Sequence, residues 1–214
     1  MAVLTKHRIY IESTIIGDWL LVETFPKNRL NKLTPEVHAS HKLFEFLLQR
    51  KNDEILPFTS YWAIFEAVGV IKRSNIETWL VLDGLSSRYY QELKNDPKYR
   101  LQPFQIKKIN ALVNKLVSEG KSSKIRLLPE QSDIKNGVSL MLERNLEAPD
   151  SLHLGIALTC GCNFFVTKDH HYDGCVEPFK DQITILKPTK MIEILINEGF
   201  MSGRISDLVP LNHF

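Results

Sequence analysis

Residues 8–12 read Arg-Ile-Tyr-Ile-Glu, and residues 163–167 read Asn-Phe-Phe-Val-Thr. Short apolar runs of this kind, rich in β-branched and aromatic residues, are typical of buried strands. Three further runs, at 55–59, 125–128 and 183–186, have the same character, and helix-length segments separate all five. Parallel strands joined by helices must be covered on both faces. The sequence therefore predicts an α/β fold, a three-layer α/β/α sandwich with a central parallel sheet of about five strands.

The segments between these strands carry helix boundary signals. Thr34 can cap a helix that begins at Pro35, and apolar residues then recur at three- and four-residue spacing along one face. A second helix is predicted at about 104–120, where the final glycine suits a helix end. Two more, at 149–161 and 188–199, begin at a proline and end at a glycine. These signals support the alternation of strands and helices.

The composition is that of a single globular domain spanning residues 1–214. The chain has 27 Lys and Arg residues against 25 Asp and Glu residues, and a net charge of +2 is too small to indicate a nucleic-acid partner by itself. No apolar run approaches the roughly 20 residues that a membrane span needs, so we expect no membrane partner and a cytoplasmic location. An odd number of cysteines, three, favours reduced thiols over a disulfide framework.

Four acidic residues fall where function gathers in such a sheet, at the carboxyl ends of the strands. Glu12 ends the first strand, and Asp169 follows the fourth. Asp150 lies in the first turn of the helix that leads into that fourth strand, and Glu66 interrupts an apolar stretch, where a carboxylate needs a partner. Taken singly, each acid is better explained by a helix cap or a surface ion pair. Taken together, they indicate a site for a hard divalent cation, because converging carboxylates repel one another.

Four segments and a closing strand, taken in chain order, carry a resemblance to a known family. Residues 8–14 place an acid and hydroxyl residues after an apolar strand, and residues 59–66 place a single glutamate on a helix. Residues 149–157 and 165–169 supply the third and fourth acidic motifs, and residues 183–188 supply the closing strand and the start of its helix. In this order the segments resemble the PIN-domain nucleases, a family that includes toxin-type ribonucleases.

The resemblance covers roughly residues 7–71 and 125–197, and it has two departures. The first acid of the family is usually aspartate, and this chain has Glu12, whose extra methylene moves the carboxylate outward. The interval between the second and third motifs is longer than in the compact toxins. We therefore interpret residues 72–124 as a helical insertion and residues 199–214 as a C-terminal tail.

The resemblance implies a metal-dependent endonuclease that hydrolyses phosphodiester bonds in single-stranded RNA, with Mg²⁺ or Mn²⁺ as the cofactor. The expected catalytic and metal-binding residues are Glu12, Glu66, Asp150 and Asp169, with Asp173 as an outer candidate. Ser13 and Thr167 are expected to orient ligands or water. Five cationic groups are expected to hold the RNA backbone, namely Lys72, Arg73, Lys168, His170 and His171. The family also implies a homodimer and, for a toxin, a small antitoxin protein as a partner.

Other functional classes have weaker support. A nucleotide-binding module needs a glycine-rich turn after the first strand, and because only Gly17 lies there we expect no nucleotide cofactor. The chain also lacks the Gly-x-Ser-x-Gly elbow of a serine hydrolase. A zinc site is weakly supported, because a paired Cys-x-x-Cys knuckle is missing from its candidate ligands, namely Cys160, Cys162, His170, His171 and Cys175. The open alternative is a catalytically inactive PIN-like module that binds RNA or a protein.

The predicted insertion contains a mixture of aromatic and basic residues, namely Arg88, Tyr89, Tyr90, Lys98, Tyr99 and Arg100. Such a mixture suits stacking on unpaired bases and contact with phosphates. It suits equally a segment that packs its rings inward or contacts another subunit, and this second interpretation is favoured.

Overall fold

The computed structural model describes residues 7–51, 53–119, 124–129 and 134–202. The strands are β1 (His7–Ile11), β2 (Ile55–Ser60), β3 (Arg126–Leu128), β4 (Phe164–Val166) and β5 (Thr184–Leu186). The helices are α1 (Ser13–Thr24), α2 (Pro35–Gln49), α3 (Tyr61–Leu82), α4 (Tyr90–Leu93), α5 (Pro103–Glu119), α6 (Ile134–Arg144), α7 (Ala148–Thr159), α8 (Val176–Phe179) and α9 (Pro188–Asn197). Short 3-10 turns lie at Lys27–Lys32, Ser87–Tyr89, Pro97–Tyr99 and His170–Cys175.

The strands of the described residues form one parallel sheet in the order β3-β2-β1-β4-β5. The first strand is central, since Tyr10 pairs with Phe58 of β2 on one side and with Phe165 of β4 on the other. The predicted α/β class and the predicted sheet of about five parallel strands are therefore confirmed.

Helices cover both faces of this sheet, and each face has its own hydrophobic core. Along β1, Ile9 and Ile11 join a core shared with α1, α2, α3, α5 and α9. Tyr10 points to the opposite core, which it shares with Phe165 and with residues of α6 and α7 such as Leu154. Successive strand residues point to opposite faces, so this division follows from the alternation along β1. The three-layer arrangement is confirmed.

Several predicted helix boundaries are present. The side chain of Thr34 accepts a hydrogen bond from the backbone N–H of Val37 and caps α2, and Pro35 is the first helical residue. Gly161 follows α7 with a φ of +62°, a conformation that favours glycine. Helix α1 was not among the predicted elements. Its residues are buried almost all round, so it lacks the polar face by which an amphipathic helix is recognised.

Glycines allow two helix pairs to approach closely. A Cβ atom on Gly17 of α1 would lie 2.5 Å from Cγ1 of Val70 on α3. A Cβ atom on Gly155 of α7 would lie 3.0 Å from the backbone nitrogen of Gly137 on α6. Both distances are shorter than packed side chains tolerate. These contacts fix α1 and α3 on one face of the sheet and α6 and α7 on the other.

The helix that carries Glu66 continues past residue 72, where the insertion was predicted to begin, and ends at Leu82. The segment after it forms a small core in which Tyr99 is buried against Ile76 and Leu80, and Tyr90 packs on its rim. These rings therefore pack inward, as the favoured interpretation expected. Residues 120–123 of the predicted insertion and 203–214 of the predicted tail lie outside the described residues. Every helix in the described part of the chain is too short or too polar to cross a membrane.

Candidate metal centre

All four predicted acids lie at the edge of the sheet where the parallel strands end. Glu12 directly follows β1, and Asp169 follows β4 after two intervening residues. Glu66 is in the second turn of α3, which begins directly after β2. Asp150 is in the first turn of α7, and this helix ends before β4 begins, so its start lies at the same edge. The topology therefore brings residues from distant parts of the sequence to one place.

Glu12 is buried and acts as the N-cap of α1. Its carboxylate accepts hydrogen bonds from the backbone N–H of Thr14 at 3.0 Å and from the hydroxyl of Thr167 at 3.1 Å. The hydroxyls of Ser13 and Thr14 also donate to it. Ser13 and Thr167 thus contact the first of the acids that they are expected to orient. A carboxylate with this many donors is held in one orientation.

Glu66 has the partner that its apolar surroundings require. Its carboxylate lies 2.7 Å from Nε2 of His153, a fully buried residue of α7, and because an ionised carboxylate only accepts, Nε2 carries the proton. The other ring nitrogen, Nδ1, lies 2.9 Å from the hydroxyl of Tyr10. Burial acts to raise the pKa of Glu66, but the hydrogen bond and charge of His153 and the hydroxyl of Ser13 outweigh it and lower that pKa. Glu66 is therefore ionised at neutral pH.

Asp150 and Asp169 form a second group with His171. Nδ1 of His171 lies 3.1 Å from Asp150 and 3.4 Å from Asp169. Burial and then the charge of Asp169 raise the pKa of Asp150, against the opposing effect of His171, and the charge of Glu12 adds to the increase. The charge of Asp169 and the hydrogen bond to Asp150 in turn raise the pKa of His171. Negative charge is thus concentrated enough here to favour a cation.

The two groups are connected. Candidate ligand atoms of Glu12, Glu66 and His153 all lie within 4.8 Å of one another, and so do those of Asp150, Asp169 and His171. Since the charge of Glu12 acts on Asp150, the groups are coupled electrostatically. The carboxylates of these groups supply oxygen ligands, which suit hard divalent cations. The described residues therefore include groups that could hold a metal ion.

The structure does not bring Asp173 into either group. Asp173 pairs with His170 at 3.0 Å and lies 3.7 Å from Nζ of Lys187. Both Asp173 and His170 lie in the 3-10 turn His170–Cys175 and are largely exposed. Asp173 therefore differs from the other predicted ligands. His170 stays available to solvent and lines, with Lys187, a cavity of about 510 Å³.

Lys168 forms an ion pair with the buried residue Asp18. Its ammonium lies 2.6 Å from Oδ2 of Asp18, a buried residue of α1. The same oxygen accepts no hydrogen bond of good geometry from the described residues, so charge attraction holds the pair. Lys187 lies beside it and donates to the backbone carbonyls of Lys168 at 3.0 Å and Asp169 at 3.3 Å. Lys168 and Lys187 therefore shape the loop after β4 as well as adding positive charge to it.

Lys72 and Arg73 lie further along α3 from the acids. Seven residues separate Arg73 from Glu66, which is about 10 Å along a helix and nearly two full turns. Lys72 is exposed, and Arg73 pairs with Glu77 at 2.8 Å while remaining mostly exposed. Both cations thus lie near the candidate site without contacting its acids.

Sequence reasoning missed three residues of this region, and two of them left a signal. His153 follows Asp150 by three positions, so both fall on one face of α7. Asp18 interrupts an apolar run in the same way as Glu66 does. Lys187, which precedes Pro188, had no signal beyond its charge.

A third acidic group and the three cysteines lie apart from this candidate centre. Glu23, His41 and Glu45 are close together, but their carboxylates already contact His41, Lys108 and Trp19. No cysteine of the described residues belongs to a candidate metal group. Burial raises the pKa of Cys162 to about 12, which keeps its thiol protonated. Cys162 and Cys175 are thus free thiols in the interior, and Cys160 is a partly exposed free thiol.

Comparison with known proteins does not assign the chain to a family. No family model matches the chain, and no curated protein matches it. The resemblance to PIN-domain nucleases stays a prediction, which rests on the ordered motifs.

Proposed function

We propose that this protein is a divalent-metal-dependent endonuclease of the PIN type that hydrolyses phosphodiester bonds in single-stranded RNA. The observation that carries the proposal is the convergence of Glu12, Glu66, Asp150 and Asp169 at one edge of the sheet. They are crowded enough that the charges of Asp169 and Glu12 contribute to the raised pKa of Asp150. Such crowding is costly unless a cation neutralises it, so the cluster is better explained by function than by stability.

The four acids would hold Mg²⁺ or Mn²⁺ directly or through water. When bound, such an ion lowers the pKa of a coordinated water and neutralises charge on the leaving oxygen. Ser13 and Thr167 keep the Glu12 carboxylate in one orientation, and His153 does the same for Glu66. The charge of Asp169 and the hydrogen bond to Asp150 raise the pKa of His171, which favours its protonated form, and in that form its ring can contact a phosphate oxygen.

The test is incubation of the purified protein with single-stranded and structured RNAs, with and without Mg²⁺ or Mn²⁺. We expect cleavage of unpaired RNA that requires the metal and is lost in the Asp150→Asn/Asp169→Asn variant. Glu23→Gln is the matched control, because Glu23 belongs to an acidic group away from the strand ends. Cleavage that survives in the double variant would overturn the proposal, since it would come from another site or a contaminant.

A binding-only PIN-like module is the second candidate, and the surroundings of Glu12 favour it. Four donor groups already occupy the Glu12 carboxylate, which leaves little capacity to coordinate an ion. Calorimetric titration with Mn²⁺ separates the two functions. A nuclease binds Mn²⁺ and loses that binding in Asp150→Asn, whereas a binding-only module retains RNA without taking up Mn²⁺.

A further inference from the structure

The first two turns of α3 expose three aromatic side chains. Tyr61 is 47% exposed, Trp62 is 38% exposed and Phe65 is 71% exposed. The rings of Trp62 and Phe65 lie 5.6 Å apart at an angle of 35°. We call these three residues the aromatic stripe. Exposed aromatic residues grouped in this way generally mark a binding surface rather than a core.

The aromatic stripe adjoins the candidate metal centre. Phe65 immediately precedes Glu66, and Tyr61 precedes it by five residues, which is about 8 Å of helix rise. Glu66 itself is partly accessible, with 30% of its side chain exposed. A polymer bound on the aromatic stripe would therefore lie beside a partly exposed acid of the candidate metal centre.

Positive charge continues the aromatic stripe along the same helix. Lys72 follows Phe65 by seven residues, so both fall on nearly the same face of α3. Arg73 lies beside it with 68% of its side chain exposed. Between the rings and the cations, Gly69 leaves open space, since a Cβ atom there would meet nothing within 4 Å. This face thus offers rings, then an open stretch, then cations.

We propose that the aromatic stripe stacks the unpaired bases of single-stranded RNA, while Lys72 and Arg73 contact its phosphates. The inference rests on the proposed function and adds the surface that selects unpaired substrate. Every base has a flat aromatic face, so stacking holds a single strand with little dependence on sequence, whereas a duplex conceals those faces. Nucleic acid fits this face better than an apolar protein surface does, because the rings are followed on the same helix by the exposed cations Lys72 and Arg73.

The first test compares Phe65→Ala with Phe104→Ala. Phe104 is 62% exposed at the start of α5, outside the aromatic stripe. Phe104→Ala therefore also removes an exposed ring, but from a different surface. Both changes are made in the Asp150→Asn/Asp169→Asn chain, which removes metal-dependent cleavage from the measurement. Anisotropy of a labelled 12-nucleotide oligouridylate reports the dissociation constant. We expect Phe65→Ala to weaken binding about tenfold and Phe104→Ala to leave it unchanged.

The second test adds a charge without removing a ring. Gly69→Glu places a carboxylate on the open stretch between the rings and the cations, and glutamate favours a helix more than glycine does, so the fold is not at risk. Val138→Glu on α6 is the control for added negative charge, because Val138 is also exposed. We expect Gly69→Glu alone to reduce the affinity for the oligouridylate, about fivefold or more.

The outcomes separate this inference from the proposed function. Equal affinities of Phe65→Ala and Phe104→Ala would overturn stacking, whether or not the wild-type chain cleaves RNA. A fall in molecular mass on gel filtration of Phe65→Ala, with unchanged RNA affinity, would also overturn it and assign the aromatic stripe to a subunit contact. If instead Phe65→Ala alone weakens RNA binding while the wild-type chain takes up no Mn²⁺, stacking stands and the nuclease proposal fails.

Discussion

Glu66 and His153 are joined by a 2.7 Å hydrogen bond although their helices cover opposite faces of the sheet. The contact passes over the carboxyl end of the sheet and connects α3 to α7. The imidazole continues to the hydroxyl of Tyr10 on the central strand. Glu66 is thereby oriented by a fully buried imidazole, and metal ligands in proteins are commonly oriented by a hydrogen-bonded partner of this kind.

His153→Leu should therefore weaken Mn²⁺ binding by about 10- to 100-fold, because Glu66 loses the donor that orients it. His153→Gln keeps an N–H donor near the same place and should recover part of the affinity. Calorimetric titration measures both, and thermal unfolding without metal shows whether the variants are folded. If a folded His153→Leu bound Mn²⁺ as tightly as the wild type, the orienting role of His153 would be wrong.

Metal addition should stabilise the folded protein. A ligand at 100 times its dissociation constant adds about 2.7 kcal/mol to the free energy of unfolding, which corresponds to a rise in Tm of about 5 to 10 °C for a chain of this size. Differential scanning fluorimetry with Mn²⁺ or Mg²⁺ measures the rise, and EDTA should abolish it. The Asp150→Asn/Asp169→Asn variant should show no rise, while Glu23→Gln should behave as the wild type. An equal rise in the double variant would place the ion elsewhere.

Gly17→Ala should destabilise the protein by about 1 to 3 kcal/mol, because the added Cβ atom would lie 2.5 Å from Cγ1 of Val70. Val70→Ala removes Cγ1 but leaves the Val70 Cβ atom 2.8 Å from the added atom, so it should restore only part of the lost stability in the double variant. Urea unfolding measures the free energies. Gly69→Ala is the control, since a Cβ atom there has open space. The close approach of α1 and α3 would be refuted by equal effects of Gly17→Ala and Gly69→Ala.

The sheet and its acidic edge could be predicted because they depend on local patterns. The strands are short apolar runs, and several helices begin at a proline or after Thr34. In a parallel sheet the strands end at the same edge, which brings Glu12, Asp150 and Asp169 there. Pair contacts across the sheet could not be predicted in this way. Glu66 and His153 are 87 residues apart, and nothing in either segment specifies that their side chains meet.

The sequence pattern also could not predict which side chains of α3 are exposed to solvent. The stretch from Tyr61 to Ile71 is apolar except for Glu66 and Gly69. Within it, only Ala63, Ile64, Ala67 and Ile71 are buried. The rings of Tyr61, Trp62 and Phe65 are exposed. Tyr99 of the predicted insertion instead packs into a small core. Which side of an almost wholly apolar helix meets the protein is decided by tertiary packing, which no single segment encodes.

Lys168→Met should destabilise the protein by about 1 to 3 kcal/mol, because it leaves the buried carboxylate of Asp18 without its cation. The loss should be smaller than for a fully buried pair, since 27% of Lys168 is exposed. Adding Asp18→Asn to Lys168→Met should recover stability, and urea unfolding of the four chains gives the coupling free energy. Lys180→Met, at a surface pair with Glu177, should change little. Strict additivity of the two changes would show that the pair is not coupled.

The pH dependence of stability should carry the signature of Asp18. Burial raises its pKa above the ordinary 3.8, and the nearby charge of Glu12 adds to this effect, while Lys168 opposes it. The folded state then binds the Asp18 proton more tightly than the unfolded state does, so this contribution to stability is complete below about pH 3.8 and is lost as the pH rises through the folded pKa. The free energy of unfolding of the wild type, minus that of Asp18→Asn, should therefore fall as the pH rises from about 3.5 to about 7. Urea unfolding at several pH values measures it, and a difference that grew with pH would mean that the Asp18 pKa is lowered instead.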